Sequence, residues 1–305
     1  MTYSSGNTIL AADYNSFVST VNTVIGNSAS YRSGSGYGQS SIATVSATAT
    51  IGASEWGTLM TAVTNAATHQ GTSISIGSNP STSDTIEALD GSTAGSGTLN
   101  LATAVSGISS NANNVDAAQQ TTVSGTAVST RSGTWGNPST ETIDAEIYSQ
   151  FASQAALDGF FNTGGEIHLT FQHASGSSSQ DVDWRDIFSA KVGTLKLQKT
   201  STARTGSSGT FASFGYTSLT GSYQNIFTGT NIGGGAYAAN DMTVTAKIDE
   251  SNHRIYFNIS LVDQAVAIAP STADTVQAGT AVSVGYRKST VYAPTTPTNV
   301  QVSSF

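Results

Sequence analysis

The sequence has no cysteine and little charge, and these two absences exclude several kinds of site. Without cysteine there is no disulfide framework, no thiolate metal ligand and no cysteine nucleophile. Charged residues make up 10% of the chain, with 11 Lys and Arg against 19 Asp and Glu, for a formal net charge of −8. This balance provides no basic surface for nucleic acid or an anionic membrane.

Long hydrophobic runs are also missing. No stretch of about 18 apolar residues occurs, so we expect no membrane-spanning helix. The N-terminal residues have neither the basic region nor the apolar run of a signal peptide, so we expect any extracellular role to follow release by lysis or inside a particle. Uncharged polar residues replace the charges, and such surfaces are usual in fibres and virion parts that pack against copies of themselves.

An internal repeat with an offset of 42 residues occupies the first 75 positions. The pattern TILAADY at 8–14 lines up without a gap with TIGASEW at 50–56. The apolar positions that follow match one for one at spacings of 0, 3, 4, 7, 10 and 11, which predicts one face of an amphipathic helix in each unit. We predict that residues 1–75 form two helical docking units, packed on each other or on a neighbouring subunit.

The ends of these helices are predicted from capping signals. Ser54 fits an N-cap, and Asp13 and Glu55 lie where a carboxylate meets the positive end of a helix. Gly26 and Gly71 fit the positions where the helices stop.

We predict that residues 76–163, which are rich in Ala, Ser and Asn, form a helical connector. Its first helix shows apolar steps of four and three residues, as in a coiled-coil seam, at Leu101, Val105, Ile108, Ala112 and Val115. Packing within one chain and a seam between subunits are both open at this point. A second helix is predicted over 143–161, before the Asn/Gly cluster at 162–165.

The apolar faces of these helices are predicted to form an assembly interface. Its residues are Tyr14, Phe17, Val21, Trp56, Leu59, Val63, Leu101, Val105 and Ile108. Tyr31 and Tyr37 lie in the glycine-rich loop between the repeats and are predicted to contact another subunit or a receptor.

After Gly165 the apolar period changes to two, which predicts strands. EIHLTFQH at 166–173 alternates in this way, and so do 242–248 and 255–261, which the polar turn 249–253 joins as a hairpin. Further strands are predicted at 193–199, 211–217 and 280–286, with a helical insert at 183–188.

Strands with one apolar face need a second layer, so residues 164–293 predict an antiparallel β-sandwich. Residues 294–305 predict an extended C-terminal tail. The predicted fold is multi-domain α+β, with small N-terminal helical repeats followed by the sandwich.

The residues that could take part in catalysis do not form a known catalytic motif. The phosphate loop, the HExxH zinc motif and the nucleophile elbow are all missing. The histidines, His69, His168, His173 and His253, are expected to be single and exposed or half-buried. We therefore assign no catalytic or metal residue and no cofactor, and we predict that the protein is not an enzyme.

Asp181, Asp183 and Asp186 cluster around Trp184 and leave one alternative open. Asp181 and Asp183 could donate oxygens to Ca²⁺. Capping of the helical insert by Asp183 explains the same residues.

Two stretches of this sequence resemble a family of tailed-bacteriophage virion structural proteins, described as tail-fibre-like, from phages of aquatic bacteria. The first is TILAADYNSFVSTVNTVIG with GYGQSSIATVSATATIGASEWGTLMTAVTNAATHQG. The second is WGNPSTETIDAEIYSQFASQAALDGFFNTGGEIHLTF, in which an aromatic pair precedes NTGGEI. The similarity covers residues 8–70 and 135–290.

The resemblance implies a structural component of a bacteriophage virion (tail, neck or fibre-like appendage) that is assembled in the host bacterial cytoplasm and resides in the virion. Its partners would be other virion proteins and copies of itself, as a trimer or hexamer because particle parts follow rotational symmetry, with no nucleic acid and no membrane insertion. A capsid decoration protein is an alternative, favoured by the lack of a long repetitive shaft. A host-surface carbohydrate-binding module, with a surface glycan as partner, is another.

Overall fold

The part of the chain that the structure describes contains five α-helices and eleven strands. The structure is a computed structural model, and it describes residues 10–27, 32, 34–81, 100–136, 140–264 and 275–305. The helices are α1 (Ala11–Ile25), α2 (Ala53–Gln70), α3 (Leu101–Ser110), α4 (Gln154–Asn162) and α5 (Ser179–Asp186). The strands are β1 (Ser124–Thr130), β2 (Glu141–Gln150), β3 (Glu166–His173), β4 (Leu195–Leu197), β5 (Thr202–Arg204), β6 (Thr210–Phe211), β7 (Gln224–Gly229), β8 (Asp241–Asp249), β9 (Arg254–Asp263), β10 (Thr280–Arg287) and β11 (Thr298–Ser303).

The chain divides into two compact units, and the fold is α+β as predicted. Unit 1 comprises Met1–Thr121, Asp158–Gly164 and Lys288–Pro294. Unit 2 comprises Thr122–Leu157, Gly165–Arg287 and Thr295–Phe305. Unit 1 holds α1 to α3, whereas unit 2 holds the two sheets.

The predicted repeat is confirmed in unit 1, because the matched apolar positions of α1 and α2 are all buried in one core. The equivalent residues Tyr14 and Trp56 contact each other edge to face, with ring centroids 5.2 Å apart. Each helix start is capped in the same way: Leu10 N–H donates to Asp13 at 3.2 Å, and Gly52 N–H donates to Glu55 at 3.0 Å. The N-cap of α2 is Gly52, and the prediction of Ser54 was wrong because the helix already begins at Ala53. The Ser54 hydroxyl instead donates to Glu55 at 2.9 Å.

Two asparagines on α1 hold the extended segment that follows the glycine-rich loop. Asn15 donates to Val45 O and accepts from Val45 N–H, both at 2.8 Å. Asn22 makes the same pair of bonds with Ile42, at 2.9 and 2.7 Å. Because an amide side chain has both a donor and an acceptor, each asparagine replaces one rung of a β-ladder.

The glycine-rich loop closes the C-terminal end of α1. The N–H groups of Tyr37, Gly38 and Gln39 donate to the carbonyls of Val24, Gly26 and Ile25 at 3.1, 2.9 and 2.9 Å. Carbonyls at the end of a helix have no partner within the helix, so the loop satisfies them. The two chains approach so closely that a Cβ on Gly36 would lie 2.1 Å from the carbonyl oxygen of Gly26.

Unit 2 contains two antiparallel sheets, which form the predicted sandwich. The five-stranded sheet has the order β1-β10-β3-β4-β5, and the six-stranded sheet has the order β11-β2-β9-β8-β7-β6. The hairpin of β8 and β9 is confirmed: buried and half-buried residues alternate along both strands. The inner positions carry Met242, Val244, Ala246 and Ile248 on β8 and Ile255, Phe257, Ile259 and Leu261 on β9.

The predicted helical connector over 76–163 and its helix over 143–161 were wrong in large part. Residues 141–150 form β2, which pairs with β9 along its whole length, and helix α4 begins only at Gln154. Strand β1 also lies within this range. Residues 82–99 lie outside the described part of the chain.

Three smaller predictions are also decided by the structure. Helix α3 packs on α1 and α2, so its apolar seam belongs to the core of one chain. The strand predicted at 211–217 is reduced to Thr210–Phe211, and a 3-10 turn occupies Tyr216–Ser218. The C-terminal tail is extended and forms β11 at the edge of the six-stranded sheet, paired with β2.

The close approach at Gly36 generates a stability prediction. We expect Gly36→Ala to lower the free energy of unfolding by about 1–3 kcal/mol, because the added methyl group forces the loop away from the end of α1. Urea unfolding followed by circular dichroism measures this. Gly133→Ala is the matched control, since a Cβ there meets no atom within 4 Å. Equal stability of the two variants would contradict the proposed role of the loop.

Candidate functional site

The predicted assembly interface is part of the core of unit 1. Nine side chains were assigned to it: Tyr14, Phe17, Val21, Trp56, Leu59, Val63, Leu101, Val105 and Ile108. All nine belong to one buried cluster, and none exceeds 7% exposure. They hold the helices of one chain together, so the prediction that they contact another subunit was wrong. The sequence correctly predicted which face of each helix is apolar, but it did not show that the other helices of the same chain cover that face.

The predicted contact residue Tyr37 is also buried, in a polar and aromatic cluster of unit 1. Its ring packs against the rings of His69 and Tyr292, with both pairs of centroids 4.9 Å apart. The Tyr37 hydroxyl donates to Ala112 O at 3.0 Å and accepts from Gln70 at 2.9 Å. Burial raises the pKa of Tyr37 to about 12. The other predicted contact, Tyr31, lies outside the described residues.

His69 has one partnered ring nitrogen and one unpartnered one. The Ser289 hydroxyl lies 3.2 Å from His69 Nδ1 and accepts the N–H groups of Val291 and Tyr292, so it donates its own proton to the ring. The ring proton is then on Nε2, which has no hydrogen-bond partner among the described residues. Burial lowers the pKa of His69 to about 4. The pair resembles a nucleophile and its base, but both side chains are fully buried and anchor the returning segment 288–294.

A second buried histidine lies in unit 2, in a chain of hydrogen bonds. His173 Nε2 is 2.8 Å from Asp181, and its Nδ1 is 3.1 Å from the Thr280 hydroxyl, which also accepts from Trp135 at 3.2 Å. A neutral ring with its proton on Nε2 satisfies all these partners. The order of groups matches an acid–base–hydroxyl triad. Thr280 is completely buried, however, so its hydroxyl ties β10 to β3 and α5 and reaches no substrate.

The remaining two histidines differ in their burial. His168 is buried on β3, 2.7 Å from Glu166, and His253 is half-buried in the hairpin turn. The expectation of exposed or half-buried histidines was therefore wrong for His69, His168 and His173. Sequence spacing shows where a histidine lies along a strand or helix, but the distant partners that permit its burial appear only in the fold.

Asp181 and Asp183 accept hydrogen bonds from different parts of the chain. The cap of α5 is Ser178, whose hydroxyl accepts from Asp181 N–H at 3.0 Å, so the prediction of Asp183 as cap was wrong. Burial raises the pKa of Asp181, but hydrogen bonds from Gln277 N–H, Ser178 and His173 outweigh it and hold this pKa below its usual value.

Asp183 accepts from Gly234 N–H at 2.7 Å and from Asn240 at 3.3 Å, and burial raises its pKa. Within the described ranges, no group of three or more histidine and carboxylate side chains is placed to hold a metal ion.

The outer face of the six-stranded sheet carries a row of aromatic and cationic side chains that the sequence reading missed. We call Tyr148, Tyr223, Tyr256, Lys247 and Arg254 the tyrosine row. In the sheet register, Tyr148 on β2 lies opposite Tyr256 on β9, which lies opposite Lys247 on β8. The sequence did contain a signal for this row, because Tyr148 and Tyr256 occupy the outward positions of strands whose inward positions are mostly apolar.

Contacts within the tyrosine row are close. The Tyr148 and Tyr256 rings are 5.2 Å apart, and the Lys247 ammonium lies 4.9 Å from the centre of Tyr256 and 4.4 Å from that of Tyr223. The Arg254 guanidinium lies 4.6 Å from the centre of Tyr148. Such cation–π contacts stabilise partly exposed groups by roughly 0.5–1 kcal/mol each.

No family model, no curated protein and no solved structure matches this chain. Among the helices that the structure describes, none has both the length and the apolar character needed to cross a membrane.

The burial of His69 predicts a specific loss of stability in acid. Its pKa is about 4 in the folded chain and 6.5 as a free side chain. As the pH falls, the unfolded chain therefore takes up the proton first. The stabilisation is present above about pH 6.5 and is lost as the pH falls towards 4, by at most about 3 kcal/mol.

The measurement is the free energy of urea unfolding at several pH values between 4 and 7. The control is His69→Gln, which cannot titrate. We expect its stability to vary less with pH than that of the natural chain across this window. Parallel pH profiles for the two proteins would contradict the assignment.

Proposed function

We propose that this chain is a structural component of a bacteriophage virion, in the tail, the neck or a fibre-like appendage, and that it acts by assembling with copies of itself and with other virion proteins. Two sequence features support this: the stretches that resemble tail-fibre-like virion proteins, and the replacement of charge by Ser, Thr, Asn and Gly. The proposal includes location in the virion after assembly in the host cytoplasm and a role without catalysis.

The observation that carries the assembly part of the proposal is a pair of uncharged sheet edges in unit 2. Strands β1 and β11 are edge strands of the two sheets and lie next to each other. Their sequences, SGTAVST and TNVQVS, contain no charged residue and no proline. Proteins that remain monomeric usually protect such edges with charge, proline or β-bulges, because an unprotected edge pairs with another chain. These two edges have neither charge nor proline, and each has one register shift, between Ser124 and Ala127 on β1 and between Gln301 and Ser303 on β11.

Exposed valines on the same two edges support the same conclusion. Val128 on β1 is 45% exposed and Val302 on β11 is 53% exposed. Burying such side chains against a second copy would contribute about 25 cal/mol per Å² of apolar surface. Since the nine core residues of unit 1 are already buried, we place the contact between copies on these edges. Rotational symmetry of virion parts favours a trimer or a hexamer.

The test of the virion assignment is mass spectrometry of purified particles of the phage that encodes the chain, with immunogold labelling to locate it. Presence at a constant number of copies supports the proposal, and absence from mature particles overturns it. The copy number also separates the alternatives: hundreds of copies indicate a capsid decoration protein, whereas tens or fewer indicate a tail or neck component.

The edge contact generates its own prediction. We expect the double variant Val128→Lys and Val302→Lys to raise the dissociation constant of the oligomer at least about 100-fold, because like charges facing each other across an interface cost several kcal/mol. Light scattering coupled to size-exclusion chromatography measures the change in mass.

The matched control is Val182→Lys, since Val182 on α5 is also 53% exposed but lies on no sheet edge. This variant should keep the mass of the natural protein. A natural chain that is monomeric at all concentrations, or a double variant that assembles normally, would show that these edges are not the interface.

A further inference from the structure

The tyrosine row lies on the outer face of the six-stranded sheet, outside the hydrophobic core. Inward neighbours on the same strands, such as Ile147, Ala246 and Phe257, are fully buried, whereas Tyr223 keeps 38% of its surface exposed. Large aromatic side chains on a solvent-facing sheet add no inter-sheet packing. They present an apolar ring with a polar tip, which suits contact with a ligand that has both apolar and polar surfaces.

Carboxylates slightly outnumber cations around the row. Lys247 and Arg254 provide the cations, and Glu146, Asp249 and Glu250 provide carboxylates close by. Glu146 accepts from the Tyr223 hydroxyl at 2.6 Å, and Asp249 accepts from Asn252 at 2.7 Å. The hydrogen bond from Asn252 lowers the pKa of Asp249, so this carboxylate remains an acceptor at neutral pH. Polyanions need an excess of positive charge, which neither this face nor the chain as a whole supplies.

A surface depression lies beside the row. Its volume is about 570 Å³, and its lining includes Gly221, Lys247, Asp249, Glu250 and Tyr256. Gly221 leaves the depression open, since a Cβ there would meet only the Ile248 carbonyl, at 3.9 Å. The volume is in the range of small-ligand sites. An ammonium donor, two carboxylate acceptors and an aromatic ring thus line one concave surface.

The next positions on the same face carry short hydrogen-bonding side chains. Asn258 on β9 lies opposite Thr245 on β8, and Ser260 lies opposite Thr243. Each has hydroxyl or amide groups that both donate and accept. On β2, Glu146 and Asp144 lie opposite Asn258 and Ser260 on this face. The face therefore continues from the row as a surface of hydroxyl, amide and carboxylate groups, which suits the hydroxyl groups of a sugar chain.

We propose that this outer face binds an uncharged oligosaccharide. The exposed ring of Tyr223 contacts the apolar face of a sugar ring. Tyr256 positions the Lys247 ammonium, which bonds sugar hydroxyls from the depression together with Asp249. Asn258 and Thr245 extend the contact to neighbouring sugar units. The inference does not rest on the proposed virion role, because it concerns another face than the β1 and β11 edges, and a single purified protein suffices to test it.

The experiment is binding of the labelled full chain to an array of uncharged oligosaccharides of hexoses and N-acetylhexosamines, with sulfated oligosaccharides as the charged comparison. Calorimetric titration with the best array sugar then gives the affinity. We expect Tyr223→Ser to weaken binding about tenfold or more, because an aromatic contact of this kind is worth about a factor of ten. Tyr256→Ser should act in the same direction, and Tyr256→Trp should preserve binding because it keeps a ring at that position.

The matched control is Phe211→Ser, which removes another exposed aromatic ring that contacts a cation, Arg204, at the far edge of the same sheet. It should change the affinity less than about twofold. Circular dichroism and thermal unfolding check that each variant is folded. Three results would overturn the proposal: no uncharged sugar binds, only sulfated sugars bind and salt abolishes the binding, or the tyrosine variants change the oligomeric mass but not sugar binding.

Discussion

Alternation of buried and more exposed side chains along β2, β8 and β9, the central strands of the six-stranded sheet, is the constraint on which unit 2 depends. Successive residues of a strand point to opposite faces, so a shift of one residue would bury Lys247 and expose Phe257. The same register that builds the core brings Tyr148, Tyr256 and Lys247 into one row on the other face. Core and candidate binding surface are therefore two consequences of one pairing.

Buried polar groups tie distant parts of the chain together in each unit. In unit 1, His69 on α2 contacts Ser289, which is 220 residues away. In unit 2, His173 joins Asp181 and Thr280. A buried polar group without a partner costs free energy, so these bonds favour one arrangement of the segments over others. The same bonds occupy the side chains that could otherwise perform acid–base chemistry.

Strand β2 shows why local periodicity was insufficient for part of the chain. Ile143 and Ile147 are four residues apart, and a spacing of four fits both a helix and a strand. Ala145 and Ser149 are also buried, which reveals the period of two, but neither is strongly apolar. Pairing with β9 on one side and β11 on the other decided the strand. The β8–β9 hairpin was predictable because its inward residues are strongly apolar and one short turn joins its strands.

The sequence alone determined the repeated helices, the carboxylates at their starts, the β8–β9 hairpin and the low charge of the surface. Each of these depends on residues close together in the chain. Only the tertiary structure decided that the faces of α1, α2 and α3 cover one another, that His69 and His173 are buried with distant partners, and that the tyrosines form a row. A periodic pattern states which side of an element is apolar, whereas the surface that covers it is set by contacts between residues far apart in the chain.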